Sequence, residues 1–159
     1  MSSSSAGARV TIKGAVALEL RLPERARATK DIDLVIDGAD EDDLAAVLRE
    51  ALRDDYQDSS FRVKGEPYVM PNNAVRVEVA MAYRGQSWST IQVDLSRQEG
   101  GATEVELVDA LEMEPFGLST PSALPCLSLR YHIAQKIHGM TQPTAEKDAS
   151  NERFRDLAD

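Results

Sequence analysis

The sequence predicts an α/β domain of the α+β type, a mixed and mostly antiparallel sheet flanked by helices. Three observations carry this expectation. Apolar residues alternate with polar ones over Val75 to Met81 and again over Thr90 to Leu95, with Arg84-Gly85 between to turn the chain; that pattern is a half-buried β-hairpin. The stretch around Leu44, Val47, Leu48, Ala51 and Leu52 instead repeats every three or four residues, the period of an amphipathic helix. The chain has 159 residues, 42% of them hydrophobic and 28% charged, which suffices for one core and hardly for two.

The elements follow in chain order. Residues 1–10, serine-rich at the start, lack the apolar stretch of a secretory signal and read as a disordered lead-in. Gly14 to Leu22 (GAVALELRL) is rich in helix formers and stops at Pro23. Asp31 to Ile36 (DIDLVI) reads as a strand closed by Asp37-Gly38. Asp40 is placed to cap the next helix, whose first turn is acidic as the helix dipole favours. Short strand pieces are expected between Phe61 and Met70, then the hairpin, then a strand over Thr103 to Leu107. Residues 115–125 hold three prolines and a glycine and read as a connector. Leu129, Ile133, Ile137 and Met140 are spaced as one helical stripe, and NERFRDLAD opens a further helix with nothing to stop it, as in a cut chain.

Composition narrows the function. No apolar run approaches the ~18 residues of a membrane span. Cys126 is the only cysteine, which excludes a disulfide framework and a cysteine-based zinc site and suits a small buried thiol. His132 and His138 lie six apart, which is not a helical metal spacing. These features fit a cytoplasmic protein. The net charge of −9 argues against a general nucleic-acid coat, but its distribution is uneven. Residues 8–30 hold six basic residues against two acids, and residues 31–60 hold eleven acids against Arg49 and Arg53. A basic segment thus runs directly into Asp31 and Asp33. Trp88 and Tyr83, flanking the hairpin turn, read as packing residues.

On a strand Asp31 and Asp33 point to one face and Ile32 to the other. Two like charges side by side repel, so either the strand end is exposed or something positive sits between them. Asp94 stands on the polar face of the later strand. Were the two strands neighbours, three carboxylates would converge, and oxygen donors of that kind suit Mg²⁺; edge-strand acids without a metal are the alternative. Gly14 before a helix lets backbone N–H groups approach a phosphate, although simple capping explains it equally well. Lys136 lies at the edge of the apolar stripe, where a lysine ordinarily snorkels to solvent.

Taken together and in order, KGAVALEL, RATKDIDL, VRVEVAMAYRGQSWSTIQVDLS, QKIHGMTQP and NERFRDLAD resemble the AbiEii/AbiGii-type toxin nucleotidyltransferases, within the fold shared with DNA polymerase β. The resemblance spans residues 11–159. It implies a catalytic domain over residues 11–125 and the start of a helical C-terminal region over residues 126–159. It further implies that Lys13, Gly14, Ala15 and Thr29 contact the nucleotide, and that Asp31, Asp33 and Asp94 bind two Mg²⁺ ions, Asp94 serving as ligand or base. Lys136 would contact phosphate, and Arg153, Arg155 and Asp156 would support the nucleotide site. An NTP, an RNA acceptor (the 3′ end of tRNA) and a cognate antitoxin are the implied partners. Two departures stand out: Ala15 occupies a position where the family carries Gly or Ser, and the family continues well past Asp159. A silent nucleotide-binding module, a transferase acting on a small molecule or a protein, and a purely structural partner are the alternatives.

Overall fold

A computed structural model describes residues 9–24, 29–38, 44–98 and 104–141. Its centre is a seven-stranded sheet in the order β3-β4-β5-β2-β1-β7-β6. The strands are β1 (Arg9–Lys13), β2 (Asp31–Asp37), β3 (Ser59–Val69), β4 (Val75–Tyr83), β5 (Gln86–Arg97), β6 (Val105–Asp109) and β7 (Ala123–Leu127). Helix α1 (Gly14–Arg21) follows β1, α2 (Leu44–Ala51) follows β2, and α3 (Leu129–Thr141) follows β7. Two neighbouring pairs, β2 with β5 and β1 with β7, are parallel and the other four antiparallel, so the sheet is mixed and mostly antiparallel as expected.

The core lies on one face of the larger half of the sheet. Ile36, Val75, Val77, Val79, Val93 and Leu95 meet Leu44, Ala45 and Leu48 of α2, all nearly or wholly buried. These are the inward positions of the two alternating strands and the apolar stripe of the helix, brought together because each has no other way to leave water. Asp40, the expected cap of α2, lies outside the described residues. The β3–β4 register shifts between Lys64 and Tyr68, which explains why this stretch reads as two strand pieces although β3 is continuous.

Four expectations are revised. Strand β1 takes up Arg9 and Val10, which the sequence reading gave to the lead-in; the β-branched run Val10-Thr11-Ile12 is its local signal. The expected connector over residues 115–125 contains a short 3₁₀ turn (Glu114–Phe116) and the start of β7. Strand β7 tolerates Pro125 at limited cost: it pairs fully with β6 but shares only the Ile12–Cys126 position with β1, so a missing N–H forfeits little. Strand β7 also runs through the expected domain boundary at residues 125 and 126. Finally, Leu129, Ile133 and Ile137 of α3 are 39–51% exposed, and His132 takes the buried place instead. Cys126 is buried, as expected of a lone thiol. No helix among the described residues is long and apolar enough to cross a membrane.

Candidate active site

The register of four adjacent strands builds the site. Lys13 of β1 lies opposite Asp33 of β2, Asp33 opposite Asp94 of β5, and Asp94 opposite Arg76 of β4. Directly opposed residues share a face, so these four side chains form one row across the sheet, on the face away from the α2 core. Asp31, two residues before Asp33, stands on the same face opposite Gln92. The condition for the three carboxylates to come together, that β2 and the Asp94 strand be neighbours, is met.

Asp33 is the pivot of the row. Burial raises its proton affinity most; Lys13 opposes that, Asp94 and Asp31 add to it, and Arg76 again opposes it. Gly14, the first residue of α1, has φ of +68°, and a Cβ there would stand 2.0 Å from Asp33 Oδ2. Gly14 thus lets the helix start and the carboxylate approach each other. Thr29 Oγ1 accepts from the Asp31 N–H at 3.3 Å and lies 3.2 Å from the Asp31 carbonyl as a donor, so in this state it fixes the entry to β2. Ala15 sits exposed in the first turn of α1.

The sequence reading missed Arg76. Its Nε and Nη2 donate to the two carboxylate oxygens of Asp94, both at 2.7 Å, a bidentate pair in which Asp94 is 14% exposed. The guanidinium's own proton affinity is raised by this bond first, and by Asp31 and Asp33 after it. Cations therefore sit beside the carboxylates at both ends of the row, Lys13 at Asp33 and Arg76 at Asp94. Among the described residues no three His, Cys, Asp or Glu side chains are grouped to hold a metal ion. The donor chemistry of Asp31 and Asp33 nevertheless fits a hard divalent ion, and Asp94 fits as a third ligand once Arg76 turns away.

A second cluster adjoins the row. His132 on α3 is 5% exposed and its Nδ1 has no hydrogen-bond partner. Burial lowers its proton affinity, and Lys136, Arg21 and Lys13 lower it further. Lys136 lies one turn beyond His132 on α3 and Lys13 at the end of β1, so both lysines act on His132, and Lys13 acts on Asp33 as well. Arg21 is locked in place: it donates to Glu106 at 2.8 Å and to the Leu127 carbonyl at 2.9 Å. Arg153, Arg155 and Asp156 lie outside the described residues. Tyr83 and Trp88 do not pack as expected; they are 41% and 71% exposed.

A strand-helix opening on glycine, a neighbouring strand with an Asp-x-Asp pair, and a third carboxylate on the next strand define a nucleotidyltransferase-type fold. The comparisons with known proteins agree. The profile described as nucleotidyl transferase AbiEii toxin, type IV TA system, matches residues 1–159, and the chain belongs to that family. Among solved structures it is similar to MenT4, a nucleotidyltransferase toxin from Mycobacterium tuberculosis H37Rv, with a TM-score of 0.57 and 18% identity. That match covers 81% of this chain and 44% of MenT4, so the chain spans less than half of that toxin. No curated protein matches the sequence.

Proposed function

We propose that this chain carries the catalytic face of a nucleotidyltransferase toxin, which moves a nucleoside monophosphate from an NTP to an acceptor hydroxyl. The observation that supports it most is the row Lys13-Asp33-Asp94-Arg76, with Asp31 beside it and the Gly14 helix start against Asp33. Asp31 and Asp33 would hold Mg²⁺, two ions in the full complex, which when bound neutralise charge developing on the transferring phosphoryl group. Lys13 and Lys136 supply the positive corner that a triphosphate needs, and the α1 start offers backbone N–H groups to the same anion. Asp94, released by Arg76, either completes the ligand set or takes the proton of the attacking hydroxyl. The acceptor in this reading is RNA, the 3′ end of tRNA, in the cytoplasm, and a cognate antitoxin restrains the enzyme.

A second reading rests on its own observation. Both oxygens of Asp94 are engaged by Arg76, and Ala15 offers no hydroxyl, which suits a module that binds nucleotide without transferring it. One experiment separates the two: label transfer from each α-labelled NTP to bulk tRNA with Mg²⁺, for the wild type and Asp33→Asn. Label on RNA that disappears in Asp33→Asn is the expected result. Mg²⁺-dependent NTP binding without transfer would select the second reading, and neither binding nor transfer would sink both.

A further inference from the structure

The end of the β3–β4–β5 ribbon farthest from the carboxylates holds a cavity of about 740 Å³, lined by Gln57, Tyr83, Arg84, Trp88, Gly117 and Leu118 among others. Its size is that of a small-ligand site. Its walls are fixed. The guanidinium of Arg84 lies 5.1 Å over the Tyr83 ring and pairs with Asp58 at 3.1 Å. Gln57 both donates to the Ser119 carbonyl at 2.9 Å and accepts from its N–H at 3.0 Å, which ties the loop that supplies Gly117 and Leu118 to the cavity wall.

Trp88 is the odd element in this setting. It is the only tryptophan of the chain and 71% exposed, where an indole usually buries most of its area. It is also the extra residue of a β-bulge, since Met81 pairs with Ser89 and Ala82 with Ser87. Bulges re-aim side chains next to functional sites. Along β5 Trp88 stands six residues from Asp94, about 20 Å at strand rise. Between the two, Lys64 and Arg62 of β3 lie level with Glu78 and Ala80 of β4, hence on the Asp94 face, and both are exposed. Neither is ion-paired to a described residue. Aromatic rings separated by cations along an open sheet are the chemistry of single-stranded nucleic-acid platforms, where rings stack on bases and cations meet phosphates.

We propose that the cavity is a subsite for one unpaired nucleobase of the acceptor RNA, stacked on Trp88, with Arg62 and Lys64 contacting the strand on its way to the carboxylates. The inference rests on the RNA-acceptor reading above and adds where that acceptor is gripped. An overall acidic chain binds RNA only where its cations are local, and this path offers Arg62 and Lys64, with Glu78 opposite Lys64, outside the catalytic row.

Because Trp88 is the sole tryptophan, its emission reports the contact directly. The probe is an unstructured single-stranded RNA of about ten nucleotides, within the usual site size, beside an abasic strand of equal length. We expect saturable quenching by the base-bearing strand and none by the abasic one. By anisotropy of end-labelled RNA, Trp88→Ala weakens binding about tenfold or more, and Trp88→Phe stays near wild type. RNA binding that leaves the emission unchanged and is equal in Trp88→Ala overturns the subsite, as does a failure to bind RNA at all. Asp33→Asn separates the two readings, since it is expected to lose transfer and keep the quenching. Stacking without transfer in the wild type would sink the transferase and leave the subsite standing. Transfer to RNA with an unchanged KM in Trp88→Ala would do the reverse.

Discussion

Gly14 is constrained twice. Its φ of +68° is a left-handed value that costs other residues about 1 kcal/mol or more. The space beside it is taken by Asp33, whose Oδ2, Cγ and Cβ would lie 2.0, 2.8 and 3.0 Å from an added Cβ. Rotating the carboxylate clears the first of these contacts but not the third, so Asp33 and the start of β2 must move together. Gly14→Ala is therefore expected to lower stability by about 1–3 kcal/mol and transfer by about a hundredfold or more, the usual cost of misplacing a reacting group by an ångström. Thermal unfolding and label transfer, measured on one preparation, check both. A loss of stability with full activity would show that the helix start and Asp33 are independent. The residue was legible in the sequence as a glycine before a helix, where capping explains it as well as phosphate binding. What the sequence could not show is the carboxylate pressed against it, which comes from another strand.

At the scale of elements, the register of β4 and β5 decides what the site contains. Tyr83 pairs with Gln86 across the Arg84-Gly85 turn, and strict counting from there would set Arg76 opposite Val93. That pairing would put a charge on the core face, since Val93 is 4% exposed. The bulge at Trp88 adds one residue and moves Arg76 opposite Asp94. Both strands' alternation was plain in the sequence, and so was the two-residue turn. Their incompatibility without a bulge is the signal for Arg76, and it emerges only when residues are counted across the hairpin from its turn. Strand β1, five residues long and paired with β2 and β7 rather than with a hairpin partner, has only its β-branched run as a signal. The adjacency of β2 and β5, by contrast, was foreseeable only as a condition, since parallel neighbours leave no turn between them. Arg76 holds both oxygens of Asp94, so Arg76→Met should free that carboxylate for a cation. We expect Mn²⁺ to bind Arg76→Met more tightly than the wild type in the absence of nucleotide, by calorimetry, with a lower melting temperature in chelator that added metal restores. Equal Mn²⁺ affinity in the two proteins would mean that Asp94 is not a ligand.

Across the whole molecule, cations flank the carboxylates of the row on both sides. Asp33 and Asp94 lie between Lys13 and Arg76 on the sheet, and Lys13, Lys136 and Arg21 gather around His132. A chain of net charge −9 has thus set three cations around one buried histidine, an arrangement that suits an anion. His132 reports on that cluster. Its ordinary value is 6.5, and burial, then Lys136, Arg21 and Lys13, hold it lower in the folded protein. Between the lowered value and 6.5 the unfolded chain binds the proton and the folded one does not. Stability is accordingly complete above that ordinary value and falls as pH drops below it, by up to about 1.4 kcal/mol per pH unit for one group. Urea unfolding at about pH 7.5 and about pH 5.5, a range in which histidine alone ordinarily titrates, should show this loss in the wild type and a smaller one in His132→Leu. Leucine also removes the unpartnered Nδ1, so that variant should be no less stable at the lower pH. A non-hydrolysable NTP adds the functional side of the argument. A triphosphate among Lys13 and Lys136 offsets the repulsion that depresses His132, so the bound protein should lose less stability on acidification than the free one. An acid loss unchanged by saturating nucleotide would place the triphosphate away from this cluster and take Lys136 out of the site.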